Sequence, residues 1–457
     1  MPNARLSNTR TERDALGSLL LPFNALYGVQ TERAVNNFRV SGITLSQFPE
    51  LVKALAETKK AAARTNARLG LLPPEKAEII ERVCDEITTG QHLDHFPVDV
   101  FQGGAGTSSN MNINEVIANR GLELMNRPCG DYERLHPNDD VNRSQSTNDV
   151  YPTAVRIAVA RQIQTLCEAL LRLSDGFVAK GVEFEHIVKL GRTELQDAVP
   201  MTLGAEFRAF GTTIREDVDR LSSTLSLLSE VNLGGTAVGT GVTAPADYRA
   251  QVVPELALIT GLELRGAYDL VEASWDTGVF VHVSGVMKRV ATKLSKIAND
   301  LRLLSSGPRG GLGEIKLMPM QPGSSLMPGK VNPVIPEMVN QVAFHVIGSD
   351  LAVTFAAEGG QLQLNPFEPL IAFSLLQSLA LLSNAADIFR SRCVELIEAD
   401  EERCLANLEA STANFTELVP LVGYEEASRL AKEMLKTGKL WKDTLPEVNQ
   451  SIAAKAV

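Results

Sequence analysis

A chain of 457 residues is too long for one compact core, so two or three domains are expected. With 44% apolar and 22% charged residues the composition is that of a globular protein, and aromatics at only 5% leave aliphatic side chains to fill the core. A net charge of -11 argues against a partner such as nucleic acid or an anionic membrane, while a small anionic substrate stays compatible because a pocket can be locally basic.

The first stretch, residues 1–150, reads as a mixed, mostly helical domain. Residues 49–70 and 74–90 are expected to be helices, punctuated by Pro73 and Pro74. The segments 96–114 and 130–149, the latter containing His136-Pro137-Asn138, are polar and read as loops. From residue 153 to about 180 apolar residues recur in steps of three and four, at Val159, Ile163, Leu166, Leu170, Leu173 and Phe177. The same rhythm runs from Phe207 to Leu228 and from Val279 to Leu304. Residues 333–357 and 367–395 are apolar on more than one side and should be the most buried. Helices this long, about 25–35 residues or roughly 40–50 Å each, point to an elongated central bundle over 151–395. Their stripes are wide enough to ask for partner helices from other subunits; a monomeric five-helix bundle is the plainer alternative. Residues 305–332 break the pattern with six glycines and four prolines, a long loop of the kind that is more often functional than not. The tail, 396–457, reads as a small helical domain. The fold class is therefore mainly α, a three-domain chain around a long-helix bundle.

The five cysteines are scattered and odd in number, which suits reduced thiols and a cytoplasmic location. No signal peptide is expected, and each apolar run is interrupted by charge before it is long enough to cross a bilayer. No His-Glu-x-x-His or other ligand spacing predicts a metal, and no Gly-x-Gly-x-x-Gly or Walker motif predicts a nucleotide; no cofactor is expected.

Four polar stretches stand out: Gln102–Asn110 (QGGAGTSSN), Ser144–Asp149 (SQSTND), Gly191–Asp197 (GRTELQD) and Gly323–Pro333 (GSSLMPGKVNP). Taken singly, the first and third could be solvated turns, and the second a helix cap or a carboxylate site at a helix N-terminus. The fourth offers adjacent serines with a lysine and an amide, but no His-Asp partner for a hydrolase triad.

Together and in this order the four stretches resemble the aspartase/fumarase superfamily, and the similarity covers most of the chain, including Tyr27-Gly28-Val29-Gln30-Thr31. Gln102-Gly103-Gly104-Ala105-Gly106-Thr107 is similar to the aspartase wording, where fumarases typically read Gln-Thr-Gly-Ser-Gly-Thr. The resemblance implies a helical core shared between subunits of a homotetramer, with active sites built from three chains. It implies elimination of ammonia from L-aspartate to give fumarate through an aci-carboxylate intermediate, with Ser324 as the base. Lys330 and Asn332 are then binders of the small dicarboxylate substrate, with Thr107, Ser146, Thr147, Asn148, Thr193 and Glu194 around them. Alternatives are fumarate hydration and a lyase on an N-substituted aspartate; a non-catalytic structural homologue is disfavoured by intact Ser324, Lys330 and Asn332. One departure stands at Glu194, where the family carries His or Gln. An ionised Glu194 would attract an ammonium, or share a proton with Glu337.

Overall fold

The computed structural model describes residues 9–323 and 325–455. A hairpin of β1 (Thr9–Asp14) and β2 (Gly17–Pro22) precedes α1 (Val29–Asn37), α2 (Pro49–Arg68), α3 (Pro74–Thr88), α4 (Thr107–Leu124) and α5 (Thr147–Glu183). A second hairpin, β3 (Val188–Thr193) and β4 (Gln196–Thr202), leads into α6 (Leu203–Leu228). Next come β5 (Glu230–Val231), the single turn α7 (Thr236–Gly239), α8 (Ala246–Thr260) and β6 (Arg265–Gly266). The chain continues through α9 (Gly278–Leu304), β7 (Ile315–Lys316), α10 (Val334–Glu358), α11 (Glu368–Arg392) and β8 (Glu398–Ala399). It closes with α12 (Glu401–Glu409), α13 (Phe415–Val422), α14 (Tyr424–Thr437) and α15 (Trp441–Lys455). Among the described residues strands pair only as two-stranded ribbons, so helices carry the architecture, as the sequence leads one to expect.

Contacts divide the chain into two compact units. One comprises Met1–Leu166, Arg220–Lys288 and Val346–Ala380; the other comprises Cys167–Asp219, Arg289–His345 and Leu381–Val457. In the first, α2 packs on α3 and α8, and α4 on α1 and α3. The alanine-rich face of α2 permits close approach, and buried Glu57 binds Arg161 bidentately at 2.7 and 2.9 Å. In the second, Phe177 meets Phe210 and Phe389 edge-on at 5.6 and 5.9 Å, and Phe184 meets Phe207 at 5.2 Å. Buried Asp217 is held by Arg289 and Lys293 at 2.9 and 3.0 Å. A separate small core gathers Phe415, Leu418, Leu430, Met434 and Val448, with Trp441 edge-on to Phe415.

Four expectations need correction. Residues 96–114 are not all loop: α4 starts at Thr107, because its polar residues are core residues rather than solvated ones. Asn110, Asn112, Asn114, Glu115 and Asn119 are all buried, and Glu115 accepts the backbone N–H groups of Gly28, Gln30 and Thr31 that open α1. The polar cluster at 191–197 is a β-hairpin, not a turn between helices. Residues 333–357 are not uniformly buried, since α10 leaves Phe344, Ile347, Leu351 and Phe355 exposed along one face; α11 is the buried helix of the two. Lastly, the segment Glu368–Leu396 is long and apolar enough to cross a membrane, with two thirds of its apolar window buried inside the protein.

Candidate active site

The first polar stretch turns sharply into α4. Gly104, Ala105 and Gly106 have φ of 89°, 54° and 88°, a left-handed run that glycine tolerates at two of its three places. Gly106 is required on a second count, because a Cβ there would lie 2.4 Å from the ring of buried Tyr151. Thr107, the first helical residue, bonds Gly104 O through its hydroxyl at 2.6 Å. Gln102 Oε1 accepts both Ser109 N and Ser109 Oγ at 3.1 Å, which ties the turn to the helix.

The second stretch opens α5 with a capping box. Ser146 N donates to Asp149 Oδ1 at 2.8 Å, and Ser146 Oγ accepts Asn148 N at 3.3 Å. Pro152 lies inside this helix and has no N–H for the carbonyl of Asn148 four residues earlier. Asn232 Nδ2 supplies the missing donor at 2.9 Å. Asp149 Oδ2 accepts Gly234 N at 2.7 Å, and Asn148 Nδ2 donates to Ala237 O at 2.7 Å, holding Ala237 at φ 62°. The segment 232–241, with Gly234, Gly235, Gly239 and Gly241, therefore belongs to this half of the site, although sequence reading passed over it; its glycine density was the available signal.

The first two stretches meet directly: Asn110 Nδ2 donates to Thr147 Oγ1 at 3.0 Å. Beneath them Lys59 is fully buried, with Nζ 2.8 Å from Asn142 Oδ1 and 3.0 Å from Gln145 Oε1. Burial pulls the Lys59 ammonium down to about 7, against the opposing pull of Asp149. Burial likewise pushes Asp149 up to about 6, against the N–H groups of Ser146 and Gly234. Lys59 and Asn142 were not picked out from sequence, where a lysine on a helix reads as solvated.

The third and fourth stretches lie in the other unit. Glu194 and Leu195 form the two-residue turn of the β3–β4 hairpin, with φ of 53° and 64° and Thr193 paired to Gln196. Thr193, Glu194, Leu195 and Gln196 are all exposed. Just below the tip, fully buried Glu314 receives Arg192 at 2.8 Å, Lys189 at 3.1 Å and Asn407 Nδ2 at 3.1 Å, so the hairpin is pinned to the foot of the long loop. Further along that loop Asn332 Nδ2 donates to Gly323 O at 2.6 Å. A Cβ on Gly323 would fall 1.5 Å from Lys330 O, so the stretch closes on itself as an Ω-loop. Lys330 is exposed at its end, beside an open depression of about 520 Å³ that Pro319, Met320, Pro322 and Met327 also line. Ser324, the expected base, lies outside the described residues. Glu337 sits half-buried in the first turn of α10.

A Thr-Ser-Thr-Asn set at two helix starts and an exposed Lys-Asn loop are chemically suited to hold carboxylates. Known proteins agree in kind. Residues 17–348 match a family described as lyase. An aspartate ammonia-lyase of Pseudomonas aeruginosa is 56% identical over 435 residues, covering 95% of this chain and 92% of that one. The crystal structure of a Brucella melitensis protein titled fumarate lyase:delta crystallin, bound to cobalt, superposes with a TM-score of 0.94 at 56% identity, covering 97% of this chain and 98% of that one. A class II fumarase of Schistosoma mansoni has the same fold, TM-score 0.90, at 34% identity over 96% and 95% of the two chains.

Proposed function

The chain belongs to the aspartase/fumarase superfamily of lyases, on its aspartase side, and from that premise we propose that it is an aspartate ammonia-lyase, eliminating ammonia from L-aspartate to give fumarate. The observation that carries this reading is 56% identity to an aspartate ammonia-lyase along nearly the whole chain, against 34% to a class II fumarase.

The chemistry assigns the residues. Ser324, as its alkoxide, takes the proton from the carbon next to the β-carboxylate and becomes the neutral hydroxyl. The electron pair left behind moves into that carboxylate, giving the dianionic aci-form, and then returns to form the C=C bond as the C–N bond breaks and ammonia leaves. The aci-carboxylate is the unstable species, so cationic and neutral donors must converge on it. Lys330 supplies the cation and Asn332 an amide. Thr107, Ser146, Thr147 and Asn148 form a wall of hydroxyl and amide groups, and Thr193 and Glu194 reach the substrate from the hairpin tip. Closure of the 323–332 loop brings Ser324 to the reacting carbon and excludes water.

These groups meet in a homotetramer, each site drawing on three subunits. The exposed face Phe344, Ile347, Leu351 and Phe355 of α10 supports this assembly, as does a hairpin tip that carries an exposed leucine. Glu194 favours an amine over a hydroxyl at the leaving position through its charge, and E194Q with unchanged aspartate kinetics would remove that role. The enzyme works in the cytoplasm on a free dicarboxylate. Fumarate absorbance from aspartate against malate tests the whole reading: product from aspartate is expected, and product from malate alone overturns it in favour of a hydratase.

A further inference from the structure

Lys59 lies well below the candidate site, yet the hydrogen bonds between it and Thr147 have a definite direction. A lysine nitrogen held against two amide oxygens can only donate. Asn142 and Gln145 cannot be turned around to face it with nitrogen, because their own amide nitrogens already serve carbonyls. Asn142 Nδ2 donates to Gln145 O at 3.3 Å, and Gln145 Nε2 donates to Val141 O and Arg143 O at 3.0 and 3.1 Å. The atom of Asn142 facing Lys59 is therefore oxygen, 2.8 Å from Nζ. The same oxygen lies 3.3 Å from Asn110, so Asn110 presents nitrogen to it. That nitrogen, Nδ2, is also the atom 3.0 Å from Thr147 Oγ1. Each link fixes the next, and two amine hydrogens on Lys59 are enough to hold the order.

The end of the chain is the useful part. Thr147 Oγ1 accepts from below, so its own hydrogen points elsewhere. Among the described residues Thr147 Oγ1 takes part in no other hydrogen bond, so that hydrogen is left for a ligand. We propose that Lys59, Asn142 and Asn110 are positioning residues that hold Thr147 as an obligatory hydrogen-bond donor toward a substrate carboxylate. This rests on the assignment of Thr147 to the substrate wall. It adds a direction to that wall: a carboxylate accepts only, and a hydroxyl free to rotate would spend part of its time presenting the wrong end.

Reversing one link tests the idea. In N110D a carboxylate replaces the amide nitrogen, so Thr147 must donate inward. The expected loss in kcat/KM for aspartate is about 10- to 100-fold, carried mainly by KM because the contact exists before and during reaction. T147V in the wild-type background is expected to cost the same about 10- to 100-fold. T147V added to N110D is expected to cost less than about threefold more, since the hydroxyl has already been withdrawn. Multiplying losses would overturn the proposal while leaving Thr147 a substrate contact. A silent T147V in the wild-type background would overturn the contact itself and the proposal with it. Tetramer mass and melting temperature accompany each variant. Should N110D fail to assemble, N110A removes the inward donor without adding an acceptor. Its kcat/KM is expected to drop about three- to tenfold, and wild-type kcat/KM in N110A overturns the proposal.

Discussion

Thr147 ends a hydrogen-bonded chain that begins at a fully buried lysine, whereas Lys330 and the hairpin tip Thr193–Gln196 stand exposed in their own unit. The first arrangement is finished before substrate arrives. Its donors are already aimed, so binding does not have to order them. The second is firmly built only at its foot, where Glu314 gathers Lys189 and Arg192, and is open at its working end. One half of the candidate site is thus settled by buried contacts, and the other stands open at its working end. Substitutions should separate the two kinds of position: at the exposed working end they cost activity more than fold, and at buried supporting positions they cost fold as well.

The largest effect is expected from S324A, which removes the base: kcat should fall by about 10³-fold or more with an unchanged melting temperature. A melting temperature that falls alongside would mean that this loop is part of the fold, and the contrast between the halves would fail. Charging the apolar face of α10 comes next. L351D combined with F355D should give subunits of monomer mass by light scattering, with specific activity down on the order of 100-fold. Full activity in a monomer would show that the open half needs no partner.

At the foot of the hairpin, E314Q leaves Lys189 and Arg192 facing a neutral group in a buried site. It should cost about 3–5 kcal/mol of stability, read as a lowered denaturant midpoint. On the settled side, G106A drives a methyl into the Tyr151 ring at a left-handed position and should cost about 1–3 kcal/mol. A pH effect lies behind the same tyrosine. Burial pushes the fully enclosed Glu368 carboxyl up to about 8, with Arg156 opposing, from an ordinary value of 4.5. Between those values the folded chain holds a proton that the unfolded chain has lost, so stability declines as pH rises from 4.5 to about 8 and is level beyond. E368Q should flatten that decline, seen as a melting temperature that gains on the wild type as pH rises.

The long helices were legible from their stripes: α5, α6 and α9 lie where three-and-four spacing places them, and α2 and α3 lie on either side of the Pro73-Pro74 break. The start of α4 was not, because four asparagines pointing into a core look the same in a sequence as four pointing at water. The hairpin at 188–202 was hidden by its turn residues, Glu194 and Leu195, which adopt positive φ without the glycine or asparagine that usually announces it. Among the candidate site residues, hydroxyls and amides in dense polar stretches stood out in the sequence as candidates. Lys59 and the glycine-rich 232–241 segment were not, since each acts only through contacts made across more than 80 positions of chain. The difference between α10 and α11 lies beyond the apolar pattern, because both are apolar and only the packing of the folded chain decides which face is covered.

The bare stripe on α10 has a consequence before catalysis begins. Phe344, Ile347, Leu351 and Phe355 stand uncovered on the single chain, and an uncovered apolar stripe is adhesive. On the proposed assembly, melting temperature should rise with protein concentration.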